Sequence, residues 1–320
     1  MTVGHCSLKL LLVAMKSIFR SIASLGPWVR LLIKVGGCVS LAAFVLLWAP
    51  WRTEEPWIVP TGRPTTVAAL KQEAADVAER MVREFPRDPD SHALKGNACL
   101  FSGNTAEAVK AWEKGLELDP ARAGAYDGIS LVAWEGGRFE EVVAACRQAL
   151  KHDPNMPDVH VRLGRALMEM GRTEELIAAA QRAVGLWPRS SEAHLLLGQG
   201  HMQSKEYAKA RKCFVRVIEI RPDHTKAYYG LATASAKLGQ REKAKQHKKR
   251  FDELINAERD NLAAWTRDQS LSSEWSDQRA RTAAIYVGAA GIYRKHGNEE
   301  QAKRLLQRAA TIDPKPRERR

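Results

Sequence analysis

Histidines recur at one position of a periodic sequence, and this recurrence is the pattern that could build a metal or haem site. His92, His160 and His194 each precede a proline by the same interval, and His201 follows the last of them by one heptad. Neutral imidazole is a common metal ligand, but a site needs several ligands that converge. Tyrosine occupies the same position in other copies of the period, for example Tyr126. We therefore interpret this shared position as one where a flat ring packs, and we predict no metal and no cofactor.

Motifs that carry catalysis are missing from the sequence. It contains no phosphate-binding G-x-x-x-x-G-K-[ST], no nucleophile elbow G-x-S-x-G and no zinc-binding H-E-x-x-H. The carboxylate pairs Glu140–Glu141 and Glu174–Glu175 fall in the first turns of predicted helices, where acidic side chains interact favourably with the helix dipole. The sequence predicts a protein that is not an enzyme.

The five cysteines form no C-x-x-C pair and no Cys/His cluster with zinc-ligand spacing. Cys99, Cys146 and Cys213 fall on predicted helices of the folded region. Free cysteine behaves there as a small apolar side chain, so we expect these thiols in the core rather than in disulfides. An oxidising compartment is neither required nor excluded.

The net charge of +13 is unevenly distributed along the chain. Residues 1–51 contain five Lys/Arg and no Asp/Glu, residues 52–204 contain 18 and 22, and residues 205–320 contain 27 and 15. A basic C-terminal third attracts acidic partners, anionic lipid or nucleic acid. Few aromatic residues interleave with its lysines, so the pattern favours a solvated helix face, and nucleic-acid binding is not expected.

An apolar stretch near the N-terminus has the length of a membrane span. Residues 31–51 contain one charge, Lys34, and as a helix they would rise about 30 Å, the thickness of a bilayer's hydrocarbon layer. Trp28, Trp48 and Trp51 flank the stretch as interfacial residues do. The positive-inside rule places the N-terminus in the cytoplasm and residues 52–320 on the other side. We therefore predict a single-pass protein of the bacterial inner membrane with its folded part on the periplasmic face.

Other interpretations of the N-terminal region stay open. A cleaved signal peptide is disfavoured, because Leu47-Trp48-Ala49 before Pro50 is a poor cleavage site. Residues 1–30 form a basic, amphipathic segment. Residues 8–33, which overlap it, could be an organelle-targeting presequence or a helix on the cytoplasmic membrane surface. Residues 52–65 contain three prolines, which block a helix and favour an extended linker.

After this linker, prolines recur at a constant interval. They are Pro86, Pro120, Pro154, Pro188 and Pro222. A period of about 34 residues is typical of stacked helix–turn–helix units, in which each proline ends a second helix. Earlier in each unit a glycine in the left-handed conformation can end the first helix. Glycine holds this position in three of the four full units, and Lys205 holds it in the fourth.

Three slots of each second helix lie twelve, eight and five positions before the proline. They share one helix face because they differ by four and three positions. In the first full unit these slots hold Ala108, Trp112 and Gly115. The first slot usually holds a small side chain, the second mostly a bulky one and the third a fairly small one. This alternation allows two helices to pack closely.

Two segments resemble the tetratricopeptide repeat: DVHVRLGRALMEMGRTEELIAAAQRAVGLWP (158–188) and EAHLLLGQGHMQSKEYAKARKCFVRVIEIRP (192–222). The resemblance implies an all-α, right-handed superhelical solenoid of antiparallel helix pairs, here preceded by one transmembrane helix. The resulting boundaries are a capping helix at 66–86, a solenoid of about five repeats at 87–253, an insertion at 254–280, a C-terminal repeat at 281–314 and a basic tail at 315–320.

In the family that the chain resembles, the first helix of each pair lines a concave groove that binds other polypeptides. The groove positions implied here are Asn97, Leu100, Phe101, Leu131, Trp134, Val161, Arg165, Met168, Leu195, Gln199, Met202 and Tyr229. Their apolar and methionine-rich character predicts an apolar or amphipathic peptide as ligand. Ala93 and Asp158 stand where members that hold a C-terminal carboxylate carry lysines, and only Asn97 matches, so that mode of binding is disfavoured.

The sequence therefore predicts a membrane-anchored scaffold or assembly factor for an envelope complex, with other proteins or peptides as partners. The alternative is a targeting or import receptor whose repeats face the cytosol, which requires the opposite membrane orientation.

Overall fold

The computed structural model describes residues 59–60, 62, 64–265 and 270–314, with side chains described for 64–259 and 275–314 among them. The predicted N-terminal segment 1–30, the membrane span 31–51 and the tail 315–320 lie outside these residues. Within the described part of the chain, none of the helices combines the length and the apolar character that crossing a bilayer requires.

The described residues form thirteen α-helices and no β-strand. In chain order they are α1 (Val67–Glu84), α2 (Pro89–Ser102), α3 (Thr105–Leu118), α4 (Ala123–Glu135), α5 (Phe139–His152), α6 (Pro157–Glu169), α7 (Thr173–Leu186), α8 (Ser191–Gln203), α9 (Tyr207–Ile220), α10 (Thr225–Lys237), α11 (Arg241–Trp265), α12 (Ser270–Lys295) and α13 (Glu299–Ile312). The all-α solenoid expected from the constant proline interval is confirmed.

Five helix pairs, from α2–α3 to α10–α11, stack in chain order. The turn inside each pair is closed by one residue with positive φ, as the glycine spacing predicts. Gly171 takes this role with φ 69° and Lys205 takes it with φ 61°. A side chain in the left-handed region costs about 1 kcal/mol relative to glycine, so Lys205 adopts a strained conformation that the packed pair around it maintains.

The three slots of the second helices form the core between pairs. The first slot is fully buried in α3, α5, α7 and α9, and so is the bulky slot one helical turn after it. Trp112 lies between two first helices: a β-carbon at Gly128 would come within 2.5 Å of its indole ring, and one at Gly96 would overlap it. Glycines at both positions therefore admit the largest side chain of the core.

The C-terminal pair α12–α13 does not extend the stack beyond α11. Instead α12 packs against α1 and α2, at the opposite end. Thr282 donates to the Leu70 carbonyl (3.3 Å) and the Tyr286 hydroxyl donates to Glu73 (3.1 Å), so α12 runs parallel to α1. The sequence predicts α1 as a cap for the first face of the solenoid, whereas the structure covers α1 itself with a helix from the other end of the chain.

The segment 254–280, predicted as an insertion, is helical where it is described. It forms the last turns of α11 and the first turns of α12, which makes these the two longest helices, with 25 and 26 residues. At about 1.5 Å per residue each is close to 40 Å long.

Candidate partner-binding surfaces

The recurring histidines have a structural partner in each repeat. The Nε2 atom of His92 lies 2.9 Å from the Pro86 carbonyl, and His160 and His194 make the same contact with Pro154 and Pro188 at 3.1 and 3.0 Å. The Tyr228 hydroxyl donates to the Pro222 carbonyl in the same slot (3.2 Å). The slot therefore ties the first helix of one repeat to the proline that ends the repeat before it.

Among the described residues no three histidine, cysteine or acidic side chains converge in a way that could hold a metal ion. Burial lowers the pKa of His160, so its imidazole is neutral at neutral pH and Nε2 is the donor to the Pro154 carbonyl.

The thiols of the folded region are free and at least partly buried. Burial raises the pKa of Cys146, and it raises the pKa of Cys213 to about 11. Thiols with raised pKa values are poor nucleophiles. These cysteines act as small apolar residues, which agrees with the expectation from their helical positions.

The predicted groove positions differ in how much surface they offer. Asn97, Arg165 and Tyr229 are exposed, and the Tyr229 side chain is 61% exposed. Phe101 and Val161 are buried and offer little surface to a ligand, because they pack into the core rather than face outward. The other predicted positions are partly buried: Leu100, Leu131, Trp134, Met168, Leu195, Gln199 and Met202.

The partly buried groove side chains rest on the core beneath them. Trp134 packs edge-on against Phe139 with 5.5 Å between ring centroids, and Met168 contacts the same apolar cluster. Leu195 and Met202 pack on the cluster around Phe214. These side chains are therefore held in place while part of each stays accessible.

Ion pairs connect successive repeats beside this row. Arg162 on α6 pairs with Asp127 on α4 and donates to the Ser130 hydroxyl at 2.8 Å. Arg165 pairs with Glu192 on α8. Each pair links one first helix to the next, so the row is presented on a fixed backbone.

The covered end of the stack contains a buried polar network. Arg308 on α13 is 3% exposed and donates to both carboxylate oxygens of Glu73 at 2.7 and 2.9 Å. The same guanidinium donates to the Gly62 carbonyl at 2.5 Å, and Tyr286 donates to Glu73. Burial, together with the Glu73 charge, raises the pKa of the Tyr286 hydroxyl, which stays a donor at neutral pH.

A second cluster closes this end at the start of α2. Lys295 and His296 contact the Asp88 carboxylate at 2.9 and 2.7 Å, and the His296 ring stacks on Phe85 with 4.3 Å between centroids. Burial by itself would raise the pKa of Asp88, but hydrogen bonds from Lys295, the Asp90 amide and His296 lower it below its usual value. These contacts join the two ends of the described chain.

The other end of the stack is formed by α10 and α11, and it carries a cleft of about 440 Å³. Apolar side chains line most of it, and two of them, Tyr229 and Phe251, face each other with 5.6 Å between ring centroids. Lys245 and Lys248 lie at the same cleft. Of the cleft lining, the groove positions predicted from the sequence include Tyr229. Lys248 in the bulky slot and Asn256 in place of the proline mark α11 as atypical in the sequence.

Comparisons with known proteins identify the repeats. Tetratricopeptide repeat family models match residues 89–122, 133–175, 161–224, 195–244 and 283–316. By sequence, no curated protein matches the chain. The last family match coincides with the pair α12–α13, although that pair lies at the opposite end of the stack.

Several solved structures are similar to part of the chain. YrrB, described as a TPR protein with an unusual peptide-binding site, is 24% identical over 60% of this chain and 100% of its own, with a TM-score of 0.55. MamA is 22% identical over 52% of this chain and 96% of its own, with a TM-score of 0.49. MamA from Desulfovibrio magneticus RS-1 is 16% identical over 57% and 98%, also at 0.49. Because the family models together match more than half of the chain, the protein belongs to the tetratricopeptide repeat family.

Proposed function

We propose that the protein is a scaffold that binds another polypeptide along the first helices of its repeats. The observation that carries the proposal is the row of partly accessible apolar side chains on α2, α4, α6 and α8. Leu100, Trp134, Met168, Leu195 and Met202 in this row pack on the core and are therefore fixed before a ligand arrives. Preorganised apolar side chains lose little entropy on binding, which favours affinity.

The character of the row favours an apolar or amphipathic peptide. Leu100, Leu131, Trp134, Met168 and Met202 alternate along it with the polar Asn97 and Gln199. Methionine and tryptophan adapt to varied apolar ligands, while accessible side-chain amides can hydrogen-bond to the backbone groups of a peptide. YrrB, which is described as having a peptide-binding site, has the same fold and supports this choice of ligand class by analogy.

Binding is tested by placing a bulky charge on the row without touching the core. Asn97→Arg and Gln199→Arg in the full chain are expected to lower recovery of the co-purifying polypeptide from an envelope extract by about tenfold, since a desolvated charge disrupts an apolar interface. Glu113→Arg on the exposed side of α3 is the matched control and leaves recovery unchanged. Equal recovery with all three variants would remove the binding site from the first helices.

The proposal extends to the membrane anchor and to the compartment in which the repeats lie. A span at 31–51 anchors the solenoid to the bacterial inner membrane, and the repeats assemble or present an envelope complex on the periplasmic face. Its support is the length of the apolar stretch, its flanking tryptophans and the basic side chains on its N-terminal side.

A reporter fused after Arg320 tests this orientation. Activity restricted to the non-cytoplasmic side agrees with the periplasmic scaffold. Activity restricted to the cytosol favours the second candidate, a targeting or import receptor, which shares the peptide-binding row and differs only in membrane orientation.

A further inference from the structure

The bulky slot of a second helix is a contact point between two successive first helices. Phe214 on α9 shows the geometry: β-carbons at Gly198 on α8 and Gly230 on α10 would each come within 2.6 Å of its ring. Trp112 occupies the same position between α2 and α4. The bulky side chain of each second helix therefore contacts the first helix of its own repeat on one side and the first helix of the following repeat on the other.

In α11 this slot is open. It holds Lys248, which is exposed, and the neighbouring slots hold Ala244 and Phe251, which are only partly buried. The corresponding residues of α3, α5, α7 and α9 are all buried. The three slots of α11 line the cleft of about 440 Å³ together with α10, so the cleft marks the place of a next first helix.

The chain supplies a next first helix but places it elsewhere. The first helix of the C-terminal repeat is α12, and it covers α1 and α2 at the far end. Within the described residues, neither α12 nor α13 packs against α10 or α11. The end face of the stack, defined here by Tyr229, Ala232, Ala236, Ala244, Lys248 and Phe251, is thus left without a stacked helix in the described part of the chain.

The chemistry of the end face selects its occupant. Tyr229, Phe251 and three alanines offer an apolar floor that small apolar side chains of a helix can contact. Lys245 and Lys248 lie beside it, on a stretch (241–250) that contains six Lys/Arg and one Glu. Lys245 has one acidic neighbour, Glu242 at 3.3 Å, and both side chains are well exposed. An acidic side chain that faces this stretch gains favourable electrostatic energy and faster association.

We propose that the end face docks a helix of another protein, one with Asp or Glu on one side and small apolar residues on the adjacent side. The docked helix continues the stack in the position of a sixth first helix. This surface shares the predicted groove position Tyr229 but no residue of the row on α2, α4, α6 and α8, and its occupancy does not depend on a ligand on that row.

A second copy of the chain and residues 1–51 of the chain itself fit the end face less well because of their charge. Two copies that met through this face would bring Lys245 and Lys248 of one against the same residues of the other. Residues 1–51 contain five Lys/Arg and no Asp or Glu, so they cannot supply the acidic side. Charge complementarity therefore favours a different, acidic polypeptide.

The test uses the full chain in mild detergent and two labelled helical peptides of about 20 residues. Both carry the same stripe of alanine and leucine; one has glutamate on the adjacent side and the other has lysine. Fluorescence anisotropy measures binding of each to the wild type, to a Lys245→Glu/Lys248→Glu variant and to a Lys243→Glu/Lys249→Glu variant. The last variant is the matched control, because it changes the same net charge on the same helix away from the cleft.

We expect saturable binding of the glutamate peptide only, weakened at least about tenfold by the cleft reversals and less than about twofold by the control reversals. A photo-crosslinker at position 248 is expected to capture that peptide. The proposal is overturned by equal binding of the two peptides, by equal losses in the two variants or by no saturable binding. Crosslinks from position 248 to residues 1–58 or to a second copy also overturn it. The proposal is likewise overturned if single-stranded DNA displaces the labelled glutamate peptide as effectively as the unlabelled peptide does.

Discussion

The two ends of the helical stack differ in what covers them. At the first end α1 is packed under α12, and Leu70, Ala74, Val77, Ala78 and Met81 are all buried. At the last end α11 presents the same slots to a cleft, with Lys248 exposed where other second helices bury a tryptophan, cysteine, alanine or phenylalanine. A repeat unit cannot bury its apolar face alone, so each end needs either a cover or a polar surface.

The difference shows that the two ends of the stack avoid an exposed apolar face in two different ways. The first end keeps apolar slots and covers them with a distant helix pair, joined through a buried ion pair and two hydroxyl-to-carboxylate hydrogen bonds. The last end replaces its bulky slot by lysine, which tolerates water, and keeps an aromatic pair at the edge. We expect the first end to determine stability and the last end to be free for docking.

The largest expected effect is the loss of a filled slot between pairs. Trp112→Ala removes a side chain that is 1% exposed and leaves a cavity between α2 and α4, so the free energy of unfolding should fall by about 3–5 kcal/mol. Urea unfolding followed by circular dichroism measures this loss. The matched control is Trp187→Ala, whose side chain is 43% exposed and should cost about 1 kcal/mol or less. Equal losses would show that the slots do not form the core.

Breaking the covered end is expected to be the next largest effect. Arg308→Ala leaves the Glu73 carboxylate without its cation in a site that is 17% exposed, which should lower the free energy of unfolding by about 3 kcal/mol in the same urea measurement. Arg304→Ala on the same helix, in a pair with side chains 55% and 77% exposed, should cost less than about 1 kcal/mol.

The double variant Glu73→Met/Arg308→Met sharpens this test. It replaces both charges by apolar groups and should be less destabilised than Arg308→Ala alone. A double variant as unstable as the single one would show that packing, rather than an unpaired buried charge, causes the loss.

A smaller effect with a defined pH dependence is expected at Asp88. Its pKa is lowered in the folded state, so the ionised carboxylate stabilises the protein at neutral pH, and this contribution is lost as the pH falls from the ordinary aspartate range through the lowered folded pKa. Asp88→Asn should cost about 1–2 kcal/mol at pH 7, and this difference should shrink steadily as the pH falls below the ordinary aspartate range. Lys295, His296 and the Asp90 amide face the carboxylate. A difference between wild type and variant that stays constant over this range contradicts the assignment.

The smallest effect is expected at the open end. Lys248→Ala changes an exposed side chain in the slot where Trp112 is buried, so the free energy of unfolding should change by no more than about 0.5 kcal/mol. Urea unfolding measures this change as well. A loss of several kcal/mol would mean that this lysine is covered in the folded chain and that the two ends are alike.

Much of the fold could be predicted from the spacing of prolines, glycines and three apolar slots. These features act within one helix pair or between neighbouring pairs. The sequences of two adjacent repeats therefore contain nearly all that is needed to predict how the pairs fold and stack. The recurrence of histidine and tyrosine in one slot indicates a packing position, but the hydrogen bond from this slot to a proline carbonyl is visible only in the structure. Within the groove, Phe101 and Val161 were expected on the surface and are buried. Helical periodicity identifies a face but not how deeply the adjacent helix covers it.

The sequence by itself determined the helix pairs, their order from α2 to α11 and the slots that pack them, because these depend on local periodicity and near neighbours. Only the tertiary structure decided where α12 and α13 lie. Their position depends on contacts such as Arg308 with Glu73 and Gly288 against Leu94, which join distant parts of the chain and follow no repeat. Shape and charge complementarity between distant surfaces leaves no periodic signal in a sequence. For this reason the covered end could not be predicted, and Lys248 in the bulky slot marks α11 as atypical without showing that its face is left open.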